Sequence, residues 1–264
     1  MKKEIYIGLI VTAIIVIFAV YFAPKLGYET SIDNSKMLSG EAKYSIISHE
    51  ITYFDSAKGF LANPTQKGNY PGVIMIHEWW GLNNNIKDMA KELAAQGYIV
   101  LAVDLYNGEV AATPERARKL TSTLNQTKAL ENMKAAIAYL KKEDANKIAS
   151  LGWCFGGGQS LQLSLSQQID ATVIYYGRLV TDKENLSSIK SSVLGIFGDK
   201  DTSIPVSSVN EFDSSLDALG IQNEIYIYEG VGHAFANPSG ANYAPEETKS
   251  AWNKTLVFLE KNLK

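Results

Sequence analysis

A glycine-rich segment near the middle of the 264-residue chain constrains the fold most strongly. Residues 147–158 read Lys-Ile-Ala-Ser-Leu-Gly-Trp-Cys-Phe-Gly-Gly-Gly, which is an apolar run of strand length, a tight turn and the start of a helix. The pattern Gly-x-Cys-x-Gly-Gly is typical of the turn that holds a nucleophile in strained dihedrals between a strand and a helix. A helix N-terminus behind Cys154 favours the thiolate and offers backbone N–H groups to an oxyanion. The segment therefore predicts a cysteine nucleophile.

The alternative interpretation of this segment is a buried structural cysteine beside a phosphate-binding glycine turn. No Gly-Lys-Ser or Gly-Lys-Thr follows the glycines, and their spacing does not fit the dinucleotide-binding fingerprint. The nucleophile is the better interpretation.

From Ser45 onward, apolar runs of strand length alternate with segments of helical period. The run Val-Ile-Met-Ile at 73–76 is almost wholly apolar, as in a strand buried on both faces of a parallel sheet. This order predicts an α/β fold with one doubly wound, mostly parallel sheet and helices on both faces. The predicted strands are 45–54, 72–77, 98–103, 147–152, 171–176, 193–197 and 224–228, and the predicted helices are 86–96, 128–142, 156–168, 205–219 and 245–262. Ligands of such sheets bind at the carboxyl ends of the strands, where the candidate residues should lie.

The N-terminus carries nineteen residues without a charge, Ile5–Ala23, between Lys3-Glu4 and Pro24-Lys25. A helix of this length spans roughly 28 Å, close to the hydrocarbon thickness of a bilayer. We therefore expect a membrane anchor at 1–23, a polar tether at 24–43 and the folded domain at 44–264. A cleaved secretory signal and a buried core helix are the alternatives, but Tyr21 and Phe22 suit a cleavage site poorly.

The charges that flank this segment predict its orientation. Lys2, Lys3 and the amino terminus slightly outweigh Lys25, which favours a cytoplasmic N-terminus. The folded domain is then extracytoplasmic, or secreted if the segment is cleaved.

Composition excludes several function classes. Lys and Arg number 25 against 28 Asp and Glu, a net charge of −3 that gives no basic field for nucleic acid. One Cys and three His exclude a disulfide framework and a Cys-rich zinc site. Only three basic residues are arginines (Arg116, Arg118 and Arg178), which speaks against an anion clamp of several arginines.

A thiol nucleophile needs a base, and the base needs an orienting carboxylate. His233 follows the strand at 224–228 in the sequence Gly-Val-Gly-His-Ala-Phe, and is the candidate base. Asp199 and Asp201 both follow the strand at 193–197, between nucleophile and histidine in the chain. We prefer Asp201 as the orienting carboxylate and expect Asp199 to stabilise the turn. His49, within an early strand, is interpreted as a surface histidine.

Residues 77–83, His-Glu-Trp-Trp-Gly-Leu-Asn, follow the apolar strand. They do not form a zincin motif, because the residue four positions after His77 is Gly81. This position supplies the second oxyanion N–H in folds with such a nucleophile turn, so the N–H groups of Trp79 and Phe155 are the candidates. Two adjacent tryptophans in a loop also favour a pocket wall over ordinary core, with Trp80 as the second pocket residue.

With these residues in hand, the chain from about Ser45 to Lys264 resembles the dienelactone hydrolase family, which is carboxymethylenebutenolidase-like and belongs to the α/β-hydrolases. The motifs that carry the resemblance are His77-Glu78-Trp79-Trp80-Gly81-Leu82-Asn83, Asp104-Leu105-Tyr106, Gly152-Trp153-Cys154-Phe155-Gly156-Gly157, Tyr175-Tyr176-Gly177, Asp201 with Pro205, and Gly232-His233-Ala234-Phe235.

The resemblance implies an α/β-hydrolase fold and a cysteine-dependent hydrolase of cyclic enol-esters that uses no metal or organic cofactor. It implies that Cys154 is the nucleophile, His233 the general base and acid, and Asp201 the orienting residue. It further implies that Glu78 interacts with the resting thiol and helps to generate the thiolate when substrate binds. A carboxylate that faces a thiol disfavours the thiolate, which is consistent with that role.

The chain departs from the family at its substrate anchors. Characterised members hold the substrate carboxylate with two arginines, where this chain has Asn107-Gly108 and Asn237. Arg178 is the candidate replacement, with a solvated surface arginine as the alternative interpretation. Trp80, Tyr106 and Arg178 are thus the predicted substrate-binding residues.

The sequence predicts a hydrolase of small carboxylic esters or lactones that acts through a Cys-His-Asp triad and a thioester. Two other functions compete with it. A free thiol of low pKa outside the cytoplasm suits a redox or thiol-sensing protein, although no resolving cysteine is present. The third hypothesis is a non-catalytic binding module on the same fold.

Overall fold

The computed structural model describes residues 28–30, 38 and 41–264. The predicted membrane anchor at 1–23 lies outside these residues. Within the predicted tether, residues 28–30 form a short strand that pairs with the first long strand of the domain. In the described part of the chain, no helix is long and apolar enough to cross a membrane.

The domain alternates strands and helices along most of its length. The strands are β1 (Tyr28–Thr30), β2 (Ile46–Phe54), β3 (Ala57–Pro64), β4 (Gly72–Ile76), β5 (Ile99–Val103), β6 (Ile148–Trp153), β7 (Ala171–Tyr175), β8 (Ser192–Gly198) and β9 (Asn223–Tyr228). The helices are α1 (Asn84–Ala95), α2 (Pro114–Thr123), α3 (Gln126–Lys142), α4 (Phe155–Ser166), α5 (Lys183–Leu186), α6 (Val206–Ala218) and α7 (Pro245–Leu263).

The strands form one nine-stranded sheet in the order β1-β2-β3-β5-β4-β6-β7-β8-β9. The pairs from β5 through β9 are parallel, whereas β1, β2 and β3 join the sheet by antiparallel pairing. The mostly parallel sheet with helices on both faces, expected from the alternation of elements, is the observed fold.

Both faces of the central strands are buried, because helices cover each of them. In β4, Val73 and Met75 point to the face covered by α1 and α7, and Ile74 and Ile76 point to the face covered by α3 and α4. Every residue of β4 to β7 is buried, which explains their nearly continuous apolar sequences. A third cluster, around Phe212, packs α6 against β8 on the second face.

Two elements of substantial length were missed in the sequence. Strand β3 pairs with β2 along its length, but its sequence contains Gly59 and Pro64, which weaken a strand pattern. Helix α2 begins with Pro114 after the cap residue Thr113, and it buries only Ala117. A helix with so small an apolar face gives little periodicity to detect.

The topology brings the candidate residues to one edge of the sheet. Parallel strands end at the same side, so the segments after β4, β6, β7, β8 and β9 meet there. These segments carry Glu78, Cys154, Arg178, Asp201 and His233 respectively.

Candidate active site

Cys154 lies on the sharp turn between β6 and α4. Its φ of 54° and ψ of −115° are unusual for a residue with a side chain. Its N–H donates to the carbonyl of Tyr175 over 3.0 Å, which helps to hold the turn. A Cβ added to Gly152 would lie 2.1 Å from the carbonyl oxygen of Gly156, and one added to Gly156 would lie 2.3 Å from that of Ile76. The glycines are therefore required by close backbone approach.

A continuous chain of hydrogen bonds joins a carboxylate, a histidine and the thiol. His233 Nδ1 lies 2.7 Å from Asp201 Oδ2, and His233 Nε2 lies 3.1 Å from Cys154 Sγ. The other carboxylate oxygen of Asp201 accepts from the N–H groups of Ser203 and Ile204 at 2.7 and 3.0 Å. These backbone donors fix the carboxylate so that it orients the imidazole.

The charges around His233 determine its protonation. Burial by itself lowers the pKa of His233, but the hydrogen bonds to Asp201 and Cys154 outweigh it and raise this pKa to about 10. Burial of Asp201 disfavours its charge, yet the bonds from His233 and from the backbone hold the pKa of Asp201 below its ordinary value. The pair therefore favours a carboxylate beside an imidazolium.

Asp199, the other acidic residue after β8, does not reach the histidine. Its carboxylate accepts from the N–H of Gly230 over 2.7 Å and pairs with Lys200 on the surface. Asp199 thereby stabilises the turn after β9. The carboxylate that contacts His233 belongs to Asp201, two residues further along the chain.

Two backbone N–H groups near the thiol have no hydrogen-bond partner among the described residues, those of Trp79 and Phe155. Phe155 follows Cys154 directly as the first residue of α4, and Trp79 lines the same cavity as the thiol. Unpaired N–H groups at a helix N-terminus and a loop can together bind an oxyanion.

His77 is wholly buried beside this site. Burial lowers the pKa of His77, and the bond to the Glu78 carbonyl and the charge of Asp104 oppose this effect only in part. Its ring stacks against Phe155, with centroids 5.8 Å apart, and contacts Tyr106 at 4.7 Å. The sequence indicated only that His77 ends a strand.

Glu78 is buried, and its carboxyl is hydrogen-bonded to Asn237 and not to the thiol. It is 3% exposed, and no hydrogen bond joins it to Cys154 in the described part of the chain. Asn237 Nδ2 donates to Glu78 Oε2 over 2.5 Å, and Asn237 Oδ1 accepts from the N–H of Ser239, which fixes the orientation of the amide. Burial raises the pKa of Glu78 to about 7, although His233 and Asn237 both act to lower it.

Tyr176 separates Glu78 from the main cavity. Its ring packs edge-on against His233 at 5.2 Å, and it lines both the main cavity and a narrow inner void next to Glu78. Its φ of 35° is positive, which is uncommon for a residue with a side chain. The sequence singled out the pair Tyr175-Tyr176 but not this dividing position.

The thiol opens into a cavity of about 730 Å³. Arg118 and Arg178 both line it, and neither side chain has a hydrogen bond or an ion pair within the described residues. This corrects the expectation that the chain has no group of arginines for an anion, because two of its three arginines line one cavity, where both are exposed to solvent. Sequence analysis missed Arg118, since the helix that carries it was not predicted. The lining residues are Trp79, Arg118, Thr121, Ser122, Leu124, Gln126, Cys154, Phe155, Gly158, Gln159, Gln162, Tyr176, Arg178, Leu179, Val180, Ser203, Ile204 and His233.

Trp80 and Tyr106, predicted to contact the substrate, are not among the residues that line this cavity. Trp80 packs against Trp79 with ring centroids 5.0 Å apart. Tyr106 packs its ring on Phe155, and its hydroxyl pairs with Thr121. Each lies one layer behind a residue that does line the cavity.

The comparisons with known proteins identify the family of the chain. The model of the dienelactone hydrolase family matches residues 57–263, which is most of the chain. The chain belongs to this family. Cys154, His233 and Asp201 all lie within the residues that the dienelactone hydrolase family model matches.

The alignments of this dienelactone hydrolase family member with individual relatives cover nearly the whole length of each relative. A predicted carboxymethylenebutenolidase of Saccharolobus solfataricus is 32% identical, over 78% of this chain and 95% of its own. Protein usf of Aquifex pyrophilus is also 32% identical, over 78% and 94%. The crystal structure of a predicted dienelactone hydrolase from Klebsiella pneumoniae aligns with a TM-score of 0.76 and 26% identity, over 82% of this chain and 99% of that one. The chain is thus a hydrolase of a family that acts on carboxylic ester bonds.

Proposed function

We propose that this dienelactone hydrolase family member cleaves small carboxylic esters or lactones through a covalent thioester on Cys154. The hydrogen-bonded chain from Asp201 through His233 to Cys154 carries the proposal. A nucleophile, a base within reach of it and an orienting carboxylate are the three parts that such catalysis requires.

In the first half of the reaction, Cys154 Sγ attacks the ester carbonyl and its proton resides on His233 Nε2. The carbonyl π electrons move to oxygen, and the N–H groups of Trp79 and Phe155 stabilise the resulting oxyanion. When the tetrahedral intermediate collapses, the C–O bond to the alcohol breaks, and His233 donates its proton to the leaving oxygen. The products are the thioester and the free alcohol, which stays attached if the substrate was a lactone.

In the second half, His233 accepts a proton from water, and the hydroxide formed attacks the thioester carbonyl. The same two N–H groups bind the second oxyanion. The C–S bond then breaks, the acid leaves, and the starting pair of Cys154 thiolate and His233 imidazolium is restored. Asp201 keeps its negative charge throughout and stabilises the imidazolium in both halves.

Glu78 enters this proposal as a titrating neighbour of His233. Its pKa of about 7, raised by burial, places its charge change in the neutral range. An ionised Glu78 stabilises the protonated form of His233 across the wall formed by Tyr176. The role of Glu78 as a partner of the resting thiol has no supporting contact among the described residues.

The two arginines that line the cavity favour substrates with a negatively charged group away from the scissile bond. Arg118 and Arg178 line it, and neither forms an ion pair or a side-chain hydrogen bond within the described residues, although Glu115 lies within electrostatic reach of Arg118. No Asp or Glu is among the residues that line the cavity. An arginine pairs well with a carboxylate. Within the proposed function, Arg178 and Arg118 are therefore the substrate-binding residues, whereas Trp80 and Tyr106 support the wall from behind.

Arg116 offers a matched control for this assignment, because it forms an ion pair with Glu109 and does not line the cavity. We expect Arg118→Gln and Arg178→Gln each to raise KM roughly 3- to 30-fold for a carboxylate-bearing ester. The neutral methyl ester of the same compound, and both substrates with Arg116→Gln, should change less than about twofold. Equal losses on both substrates would refute the anion-binding role.

The reaction itself is tested with the full chain in detergent and a panel of activated esters and small lactones. The wild type should show a burst of alcohol release, and mass spectrometry should find one acyl group on Cys154. Cys154→Ala should abolish both. Equal turnover by both proteins, or an alkylatable Cys154 in a wild type that cleaves no ester, would overturn the proposal and favour a redox or binding protein.

We further propose that residues 1–23 anchor the protein in a membrane with the domain outside the cytoplasm. Nineteen uncharged residues and the lysines before them support this arrangement. A reporter fused after Lys264 that is active only outside the cytoplasm, with the protein in the membrane fraction, is the expected result. A reporter active only inside the cell would overturn it.

A further inference from the structure

His77 differs from the other residues of the site because it contacts only backbone groups through its ring nitrogens. Its Nδ1 lies 2.6 Å from the carbonyl oxygen of Glu78. Its Nε2 lies 3.2 Å from the backbone nitrogen of Leu105, at the end of the neighbouring strand β5. The ring is 0% exposed and lies between the segments that follow β4 and β5.

These two partners determine the tautomer of His77. A backbone N–H can only donate, so Nε2 must accept from Leu105 with a free lone pair. A carbonyl oxygen can only accept, so Nδ1 must carry the proton and donate it to Glu78. The imidazole is therefore neutral and transmits a hydrogen bond from one strand end to the other.

The carbonyl that His77 holds belongs to the same peptide group as the N–H of Trp79. In a trans peptide the C=O and the N–H are coplanar and point in opposite directions. A bond that fixes the Glu78 carbonyl therefore fixes the direction of the Trp79 N–H. Hydrogen bonds to the carbonyl also polarise the peptide, which strengthens its N–H as a donor.

The same imidazole contacts the other side of the oxyanion site. It stacks against the ring of Phe155, whose N–H is the second unpaired donor, with an interplanar angle of 24°. A second bond to the Glu78 carbonyl, from the N–H of Gly81 over 3.2 Å, closes the turn that follows β4. His77 thus contacts both the peptide group that contains the Trp79 N–H and the ring of Phe155.

We propose that His77 is a positioning residue for the oxyanion site: its Nδ1–H holds the Glu78–Trp79 peptide so that the Trp79 N–H faces the developing oxyanion beside Cys154. This inference rests on the proposed function and adds a residue to it. It assigns to His77 an effect on reactions that pass through a tetrahedral oxyanion, and none on the reactivity of the thiol as such.

Two reactions of Cys154 separate these effects. Acylation by an activated ester needs the oxyanion site, whereas alkylation by iodoacetamide forms an S–C bond and releases iodide without an oxyanion. Both are measured on the full chain as single-turnover rates. The variants are His77→Phe, which keeps an aromatic ring, His77→Gln, which keeps a donor and an acceptor, and His49→Phe as a control on β2 away from the site.

We expect His77→Phe to lower the acylation rate and kcat roughly 10- to 100-fold, with KM and the alkylation rate within about threefold of wild type. His77→Gln should recover part of the loss, and His49→Phe should change neither rate. An unchanged acylation rate in His77→Phe would overturn the proposal. So would a parallel loss of acylation and alkylation, since it indicates general disruption of the site.

If His77→Phe does not fold, the tautomer of His77 can be measured directly in the wild type by NMR. The ¹⁵N chemical shifts of His77 at pH 7 should be those of a neutral ring with the proton on Nδ1. A proton on Nε2 would overturn the proposal whatever the kinetics. Failure of the proposed function looks different, because the wild type would then form no acyl group on Cys154.

Discussion

His77 and His233 lie at the same edge of the sheet, after β4 and β9, and each uses both ring nitrogens in hydrogen bonds. His233 lies between a carboxylate and a thiol. His77 lies between two backbone groups. The pKa of His233 is raised to about 10, whereas that of His77 is lowered.

The difference shows that partners, more than burial, decide what a histidine can do. Burial acts to lower the pKa of both rings. Only His233 has an anionic neighbour that outweighs it, so only His233 can gain and lose a proton during a reaction. His77 keeps one tautomer, which makes it suitable for holding a peptide group in place.

Removing the ring of His233 should have the largest effect. We expect His233→Gln to lower kcat/KM for an activated ester at least 10³-fold, because base and acid are lost together. The loss should exceed that of His77→Phe by a factor of ten or more in the same assay. Similar losses in the two variants would break the comparison between a reacting and a positioning histidine.

Removing the charge beside His233 should have the next largest effect. Asp201→Asn keeps the shape of the side chain but removes the charge that stabilises the imidazolium, and we expect kcat to fall roughly 10²- to 10³-fold. The pH-rate profile serves as the measurement, with Asp199→Asn as the control because Asp199 does not contact His233. An unchanged profile in Asp201→Asn would contradict the assignment of the orienting carboxylate.

The two histidines should also affect stability in opposite directions as the pH changes. The contribution of protonated His233 is complete below its unfolded pKa of about 6.5 and is lost as the pH rises through about 10. Neutral, buried His77 contributes fully above about pH 6.5, and its contribution is lost as the pH falls toward its lowered pKa.

Urea unfolding at several pH values checks both signs. The stability difference between wild type and His233→Gln should shrink from pH 6 to pH 10, and that between wild type and His77→Gln should shrink from pH 8 to pH 5. Two differences with the same slope would show that one of the protonation states is assigned wrongly.

The smallest effect is expected for Glu78, the residue next to His77 in sequence and within electrostatic reach of His233. Glu78→Gln should change kcat/KM less than about tenfold and remove an inflection near pH 7, where the wild-type carboxyl ionises. Since ionisation of the buried carboxyl costs stability, the variant should gain stability over wild type as the pH rises from about 4.5 through 7. Asn237→Ala is a useful comparison, because it leaves the carboxyl without its donor.

The segments with strong periodicity were predictable from the sequence. The central strands were recognisable because burial on both faces makes them wholly apolar, as in Val73–Ile76. Strand β3 and helix α2 were not, since the first contains Gly59 and Pro64 and the second buries only Ala117. The weaker the apolar pattern of an element, the more its existence depends on its neighbours in the fold.

The same distinction holds at the site. The turn that carries Cys154 could be recognised from its glycines. At Gly152 and Gly156 a neighbouring backbone lies too close for any residue with a side chain. Trp80 and Tyr106 also belong to recognisable sequence motifs. Side-chain packing nevertheless places Trp80 against Trp79 and Tyr106 against Phe155, and neither lines the cavity. Arg118 lies on a helix whose sequence has little apolar periodicity. Nothing close to it in the chain therefore indicated that it lines the same cavity as Arg178.

The sequence by itself determined the strands and helices with strong apolar patterns, the glycine turn around Cys154, and the acid and histidine candidates that follow this turn in the chain. Local patterns and turn geometry are sufficient for these features, because they depend on neighbours close in sequence. The tertiary structure decided which side chains share the cavity, where Glu78 points and that His77 holds the peptide of Trp79. These features depend on contacts between segments such as 77–78 with 105 and 78 with 237, and on the burial that sets the charge of each group.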